Sequence, residues 1–252
     1  MSSTPDEASE RRARAAAGVR RPGDDAQQER LRRLLMGVGF VVVVGAIVAG
    51  VIIFQGGGSG STAQRTPPLP VSAASHGVTI GRAGAPVHVV VYEDFGDPVS
   101  RQLEEASRDY LHADASAGRV YVDYRPVASR NGYSRSALNA FATVLDVAGP
   151  RAALRLHDLL FDHQPAAGAP VPGDDQFVAL ATKAGARRAA VAGPIASSAK
   201  QAKQQWVESA DAAARKAGIR GLPTVLLDGK RLTGTSVIGL ADRLETIIAR
   251  KG

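Results

Sequence analysis

Four stretches of different hydropathy follow one another along the chain. Residues 1–33 are polar and have no apolar periodicity, which is typical of a disordered tail. Residues 34–54 contain only apolar side chains and glycine. Residues 55–75 are rich in Gly, Ser and Pro, and residues 76–252 alternate short apolar runs with amphipathic stretches. This order predicts a cytoplasmic tail, a transmembrane helix, a linker and one folded domain.

The apolar stretch, residues 34–54, has the length of a membrane-spanning helix, because about 20 residues with a rise of about 1.5 Å each cross a hydrocarbon core of about 30 Å. Arg30, Arg32 and Arg33 lie just before it, whereas the first basic residue after it is Arg65. The positive-inside rule therefore places residues 1–33 in the cytoplasm and the folded domain outside the cell membrane. A cleaved signal peptide is the alternative. Its apolar region would be shorter, and no Ala-x-Ala site follows promptly, so an uncleaved signal-anchor is favoured.

Periodicity within residues 76–252 predicts a mixed α/β domain. We expect strands at 78–80, 87–92 and 120–124, with a helix at 98–116 between the last two. Strand, helix and strand in this order form a βαβ unit whose strands run parallel. Residues 134–217 are predicted to be a helical insertion, broken at 149–150, 165–173 and 193–194. The step Asp228-Gly229 predicts a hairpin between strands 223–227 and 230–232, and a last helix is expected at about 240–250.

The composition excludes several functional classes. The chain has no cysteine, which rules out disulfides, thiolate zinc sites and thiol catalysis. The net charge is +7, but the 22 basic and 18 acidic side chains of residues 76–252 are interspersed, which argues against nucleic-acid binding. The histidines, including His157 and His163, lack the spacing of a helical zinc pair. We therefore predict no metal and no cofactor.

Four stretches of the outer domain occur in a characteristic order: Gly84-Ala85-Pro86-Val87 followed by Tyr92-Glu93-Asp94-Phe95, then residues 156–165, then Gly218-Ile219-Arg220-Gly221-Leu222-Pro223-Thr224, and finally Asp228-Gly229-Lys230. In this order they resemble the DsbA-type thioredoxin-fold disulfide oxidoreductases of the membrane-anchored actinobacterial type. The resemblance covers about residues 76–252 and implies a thioredoxin-like fold with a helical insertion. It breaks down at the family's Cys-Pro-x-Cys motif, where this chain has Asp97-Pro98-Val99-Ser100. Since disulfide exchange requires a thiolate, we predict a degenerate member that is not a self-sufficient oxidoreductase.

The residues at the degenerate motif favour a structural role. Asp at an N-cap followed by Pro is a favoured helix start, so Asp97 is expected to cap the helix that begins at Pro98. One alternative is an enzyme that acts on a small thiol substrate through Ser100 or Asp97, because the wider fold includes the serine-dependent kappa-type glutathione transferases. A second alternative is a vestigial relative of the redox enzymes.

The resemblance also singles out Leu222 and Pro223. It implies a cis bond between them, and in the family the backbone before this proline pairs with an extended substrate peptide. The leading hypothesis is therefore a peptide-binding or chaperone-like factor outside the cell membrane. Its partner would be an extended peptide or a membrane protein. The sequence predicts no particular oligomeric state.

Overall fold

The computed structural model describes residues 68–196 and 201–252. The predicted cytoplasmic tail, the predicted transmembrane segment at 34–54 and most of the predicted linker lie outside the described residues. No helix within the described ranges is long and apolar enough to cross a bilayer.

The sheet has six strands in the spatial order β1-β2-β4-β3-β5-β6. The strands are β1 (Val71–Ala74), β2 (Gly77–Ile80), β3 (Val87–Asp94), β4 (Val120–Val127), β5 (Thr224–Leu227) and β6 (Lys230–Leu232). Only the central pair, β3 and β4, is parallel among these strands, and all other neighbours are antiparallel. Edge strand β1 lies in the range that the sequence assigned to the linker, so the sheet begins a few residues earlier than expected.

The predicted βαβ unit is confirmed. Helix α1 (Pro98–Ser116) connects β3 to β4, and the two strands pair in register from Val87 opposite Val120 to Asp94 opposite Val127. Both strands extend beyond the predicted ends, because pairing continues through charged residues and a proline that give no strand signal in the sequence, with Glu93 opposite Pro126. The added residues of β3, Glu93 and Asp94, are buried. They bring two carboxyl groups to the point where α1 begins.

Between β4 and β5, the described residues form an insertion of five helices. They are α2 (Gly132–Ala148), α3 (Pro150–Asp162), α4 (Asp174–Lys183), α5 (Arg188–Ile195) and α6 (Gln201–Lys216). The predicted breaks at 149–150 and 165–173 are confirmed. The predicted break at 193–194 is displaced, since Pro194 lies inside α5 one residue before its end. A further break at 184–187 was not predicted, and it includes Gly185, whose φ of 107° favours glycine.

The chain then returns to the sheet edge as the sequence predicts. Asp228 and Gly229 have φ values of 48° and 79°, as a two-residue hairpin of type I′ requires. The last helix, α7 (Val237–Lys251), starts about three residues earlier than expected, because Ser236 caps it by accepting a hydrogen bond from the amide of Gly239. The Leu222–Pro223 peptide bond is cis.

One apolar cluster joins the sheet to the helices and fixes the start of α1. Phe95 follows β3 directly and is completely buried. Its ring centroid lies 5.8 Å from that of Phe141 in α2 and 5.1 Å from that of Phe161 in α3. Because Phe95 is held between the insertion and the sheet, Asp97 two residues later has a fixed position.

Candidate functional site

Asp97 is the N-cap of α1, as predicted. It has an extended backbone, and its Oδ2 accepts hydrogen bonds from the amide of Ser100 at 3.0 Å and from the hydroxyl of Ser100 at 2.9 Å. Pro98 occupies the first turn, where a missing amide hydrogen leaves no bond unmade. The two positions that align with the family's cysteines therefore bond to each other.

Arg130 holds the second oxygen of the Asp97 carboxylate. Its guanidinium donates a hydrogen bond of 2.9 Å to Oδ1 of Asp97. Asp94 positions the backbone of this arginine, because its Oδ2 accepts hydrogen bonds from the amides of Ser129 and Arg130 at 2.8 and 2.9 Å. Its Oδ1 accepts a hydrogen bond of 2.8 Å from the amide of Gly96. The end of β3 is thus tied to the loop after β4.

The side chains at positions 97 and 100 are not accessible to a substrate. Asp97 and Ser100 are both 0% exposed, whereas the intervening Pro98 and Val99 are exposed. The hydroxyl of Ser100 donates to Asp97 and accepts from the amide of Asp94 at 3.3 Å. The one base at the hydroxyl among the described residues is the carboxylate of Asp97, and that carboxylate is already paired with Arg130 and bonded to the amide of Ser100. This arrangement is suited to holding a helix start and offers no free nucleophile at either position.

Leu222 and Pro223 precede β5 at the same end of the sheet, since Thr224 pairs with Tyr92 near the end of β3. Both are half-buried. Neither the amide nor the carbonyl of Leu222 has a hydrogen-bond partner among the described residues. Strand β5 begins only at Thr224, which pairs with Tyr92 of β3. The chain just before the strand therefore offers unused main-chain polar groups.

Two cavities flank the degenerate motif. The first, which we call the loop cavity, has a volume of about 680 Å³. It is lined by the end of β4 and the following loop (residues 127–130), by Asp211, Ala214 and Arg215 of α6, and by residues 219–222. The second, the helix cavity, has a volume of about 630 Å³ and is lined mainly by residues 96–99, 130–133 and 164–171. Arg130 lines both cavities, so the partner of Asp97 forms a common wall.

A cluster of ionisable groups lies behind the site. His157 of α3 is completely buried, with its Nε2 atom 2.7 Å from Oε1 of Glu93 and its Nδ1 atom 3.0 Å from Oδ1 of Asp158. Glu104 of α1 lies 3.7 Å from the same Nδ1 atom and accepts a hydrogen bond of 2.8 Å from Nε of Arg108. The ion pairs and hydrogen bonds among these groups connect β3, α1 and α3.

The cluster shifts two pKa values. Burial lowers the pKa of His157, but the Glu93 carboxylate, the hydrogen bonds to Asp158 and Glu93, and the charge of Glu104 together raise it to about 10. Burial raises the pKa of Glu104 from 4.5 to about 7, against the opposing effects of His157 and Arg108. His157 is therefore a cation at neutral pH.

Glu104, His157 and Asp158 are also the residues best placed to hold a metal ion, since they bring one potential ligand atom each to within 4.8 Å of one another. Both ring nitrogens of His157 already contact carboxylate oxygens, and Arg108 supplies a second positive charge. Ion pairs account for the cluster without a metal. The absence of a metal stays a prediction.

Sequence reasoning missed the side chains that complete the site. Arg130 was not singled out, because its contact with Asp97 joins positions 33 residues apart and no local spacing signals it. Asp94 was named only as part of one of the stretches that carry the resemblance to the family. Arg220 lies inside the quoted stretch before Pro223, and Arg215 lies in the last turn of α6. The sequence shows that Arg220 lies just before the proline, but only the fold brings Arg215 to the same cavity.

The order of the elements and the geometry of the site identify the structural class of this domain. A parallel βαβ unit, a helical insertion and a closing ββα unit, with a cis-proline facing the start of the first helix, make up the thioredoxin fold of the DsbA type. Residues 73–244 match the family model described as thioredoxin, and the chain belongs to that family. It is a degenerate member, because it has no cysteine.

Solved structures agree with this assignment. The chain is 20% identical to MdbA, a thiol-disulfide oxidoreductase from Corynebacterium diphtheriae, with a TM-score of 0.57 over 76% of this chain and 97% of that one. It is 19% identical to BdbD from Bacillus subtilis, with a TM-score of 0.60 over 73% and 96% of the two chains. For DsbA from Mycobacterium tuberculosis the identity is 24%, with a TM-score of 0.53 over 71% and 92%. These likenesses show the fold. No curated protein sequence matches the chain.

Proposed function

We propose that this chain is a membrane-anchored protein whose thioredoxin-like domain binds extended peptides outside the cell membrane without exchanging disulfides. The observation that carries the proposal is the unpaired backbone of Leu222 at the wall of the loop cavity. An extended peptide would satisfy these groups by adding a short strand, and the adjacent cavity would receive its side chains.

The closed state of the degenerate motif supports binding over catalysis. Asp97 and Ser100 are bonded to each other and buried, while both flanking cavities remain open. Val99 and Val171, which line the helix cavity, are 41% and 47% exposed and add an apolar surface. Apolar surface next to free main-chain groups is what an unfolded segment can use. The membrane anchor at 34–54 and the outward orientation of the domain are part of the proposal and rest on the sequence.

The test is binding of an extended peptide to the full chain in non-ionic detergent, measured by fluorescence anisotropy. The probe is a labelled neutral peptide with alternating Val and Thr. Its counterpart carries N-methyl groups on alternate residues, which removes main-chain donors and leaves the side chains unchanged. We expect saturable binding of the first peptide and at least about tenfold weaker binding of the second, because each lost main-chain hydrogen bond contributes about 0.5–1.5 kcal/mol.

Leu222→Asp is the variant that probes the location, because the change replaces an apolar side chain at the wall of the loop cavity with a charged one. Ile238→Asp is the matched control, since Ile238 is 51% exposed and lines neither cavity. The proposal requires that Leu222→Asp weaken binding and that Ile238→Asp leave it unchanged. It fails if neither peptide binds, or if both variants behave alike.

A further inference from the structure

The loop cavity carries an excess of positive charge. Three arginines line it, Arg130, Arg215 and Arg220, against the single carboxylate of Asp211. That carboxylate is already engaged, because its Oδ1 accepts a hydrogen bond of 2.9 Å from the amide of Ala128. Asp211 makes no ion pair with a described residue, and its single charge is outnumbered by the three arginines.

Two of the three arginines have no partner. Arg130 is paired with Asp97, but Arg215 and Arg220 are exposed, and neither makes an ion pair or side-chain hydrogen bond with any described residue. Unpaired arginines on an open surface are ordinary. Here, however, both line the same concave surface, whose floor includes the apolar residues Val127, Ala214 and Ile219. A guanidinium next to apolar walls has less competing water and interacts more strongly with an anion.

Local sequence explains why these arginines share one cavity. Arg215 lies in the last turn of α6. Gly218, with a φ of 74°, reverses the chain, and the amides of Gly218 and Ile219 return to the carbonyls of Arg215 and Ala214 at 3.0 Å each. This helix end brings Arg220 back to the cavity that Arg215 already lines. The unpaired backbone of Leu222 follows two residues later.

We infer that the loop cavity selects acidic segments: it binds an extended peptide that carries Asp or Glu side chains, with Arg215 and Arg220 contacting the carboxylates. The inference rests on the proposed function and names its ligand class. Guanidinium groups suit carboxylates because they donate two parallel hydrogen bonds. A peptide fits better than a single small anion, since only a peptide also uses the main-chain groups of Leu222 and the apolar floor.

The test compares three labelled peptides of equal length with the full chain in non-ionic detergent. They alternate Val with Glu, Gln or Lys, so the backbone and half of the side chains stay constant. The acidic peptide should bind about tenfold or more tightly than the Gln peptide and the Lys peptide weakest of all, because each arginine–carboxylate pair at a partly exposed site adds up to about fivefold. The preference should shrink at high salt, where the Debye length falls to about 3 Å at 1 M.

The variant Arg215→Glu/Arg220→Glu reverses both unpaired charges. Arg82→Glu/Arg151→Glu makes the same change in net charge at two exposed arginines that line neither cavity and have no side-chain partner among the described residues. We expect the first variant to lose the preference for the acidic peptide, so that the Glu peptide binds no more tightly than the Gln peptide. The second variant should retain the preference.

The outcomes separate this inference from the proposed function. Equal binding of the Glu and Gln peptides overturns the acidic selection and leaves peptide binding intact. Loss of the preference in both double variants also overturns it, because the effect would then come from net charge. If no peptide binds, both proposals fail. In that case, titration with inorganic phosphate and with phosphatidylglycerol vesicles shows which anion the cavity holds instead, and either result replaces the acidic peptide.

Discussion

Substitution of Asp97 measures what the degenerate motif now does. Asp97→Ala removes the N-cap of α1, which contributes about 1 kcal/mol with a range of about 0.5–2. It also removes the acceptor of the Ser100 hydroxyl, a buried hydrogen bond worth about 0.5–1.5 kcal/mol. The ion pair with Arg130 adds little, because the arginine side chain is 55% exposed. The free energy of unfolding should therefore fall by about 2–3 kcal/mol.

The assay is urea unfolding of the full chain in detergent, followed by tryptophan fluorescence. The chain has a single tryptophan, Trp206, whose ring lies 6.4 Å from that of Phe141 in the core of the domain. Its emission therefore reports on the folded domain alone. Asp97→Asn keeps a side-chain oxygen for the cap and should lose only about 1 kcal/mol.

Asp109→Ala is the matched control on the same helix. Asp109 is exposed, and its side chain has no partner among the described residues, so the change should stay within about 0.5 kcal/mol. The reasoning is refuted if Asp97→Ala unfolds at the same urea concentration as the unchanged chain. It is also refuted if Asp97→Asn and Asp97→Ala lose the same stability, since the cap oxygen would then contribute nothing.

Three further predictions concern redox activity, pH and the membrane. The purified chain should show no insulin-reduction activity above background, since it has no thiol; any activity intrinsic to it would contradict the reading of the motif. The folded state holds the protons of Glu104 and His157 more tightly than the unfolded state does. The free energy of unfolding should therefore decrease between about pH 4.5 and 7, where Glu104 loses its proton, and decrease again as the pH rises towards about 10, where His157 loses its proton. The urea midpoint of Glu104→Gln should not show the first of these two decreases. A pH profile identical to that of the unchanged chain would disprove the role of Glu104. The full chain should remain with the membrane fraction after a high-salt wash, whereas a variant lacking residues 34–54 should be released; equal partitioning of the two would argue against the anchor.

The sequence predicted the parts of the fold that depend on local pattern. The helix at Pro98–Ser116 was predicted with its start at Pro98 and its end at about Ser116, because Asp97 and Pro98 give a strong start signal and Gly118 follows its end. The hairpin at Asp228-Gly229 was predicted because both residues tolerate a positive φ. Strand β1 was missed because its four residues, Val-Ser-Ala-Ala, are too few and mostly too small to show a strand pattern. Its pairing with β2 decides its conformation.

The site was predictable only where one residue acts on its sequence neighbours. Asp97 and Ser100 are three residues apart, so a cap could be expected from the sequence. Arg130 and His157 meet their partners across the fold, at separations of 33 and 64 residues, and no periodic pattern carries that information. In the sequence alone, charged residues at such positions cannot be distinguished from charged residues on a solvated surface. The excess charge of the loop cavity is of the same kind.

The hydrogen bonds of Asp97 also determine how a change of this residue to cysteine would affect the fold. Placing cysteine back at this position would remove the cap and leave Arg130 without its carboxylate, and the thiol so gained would have no second thiol to pair with while Ser100 remains. Regaining a site with two thiols therefore takes two substitutions, and the first one removes the cap and weakens the fold. The aspartate therefore places a form of lower stability between this chain and any form with two thiols at these positions.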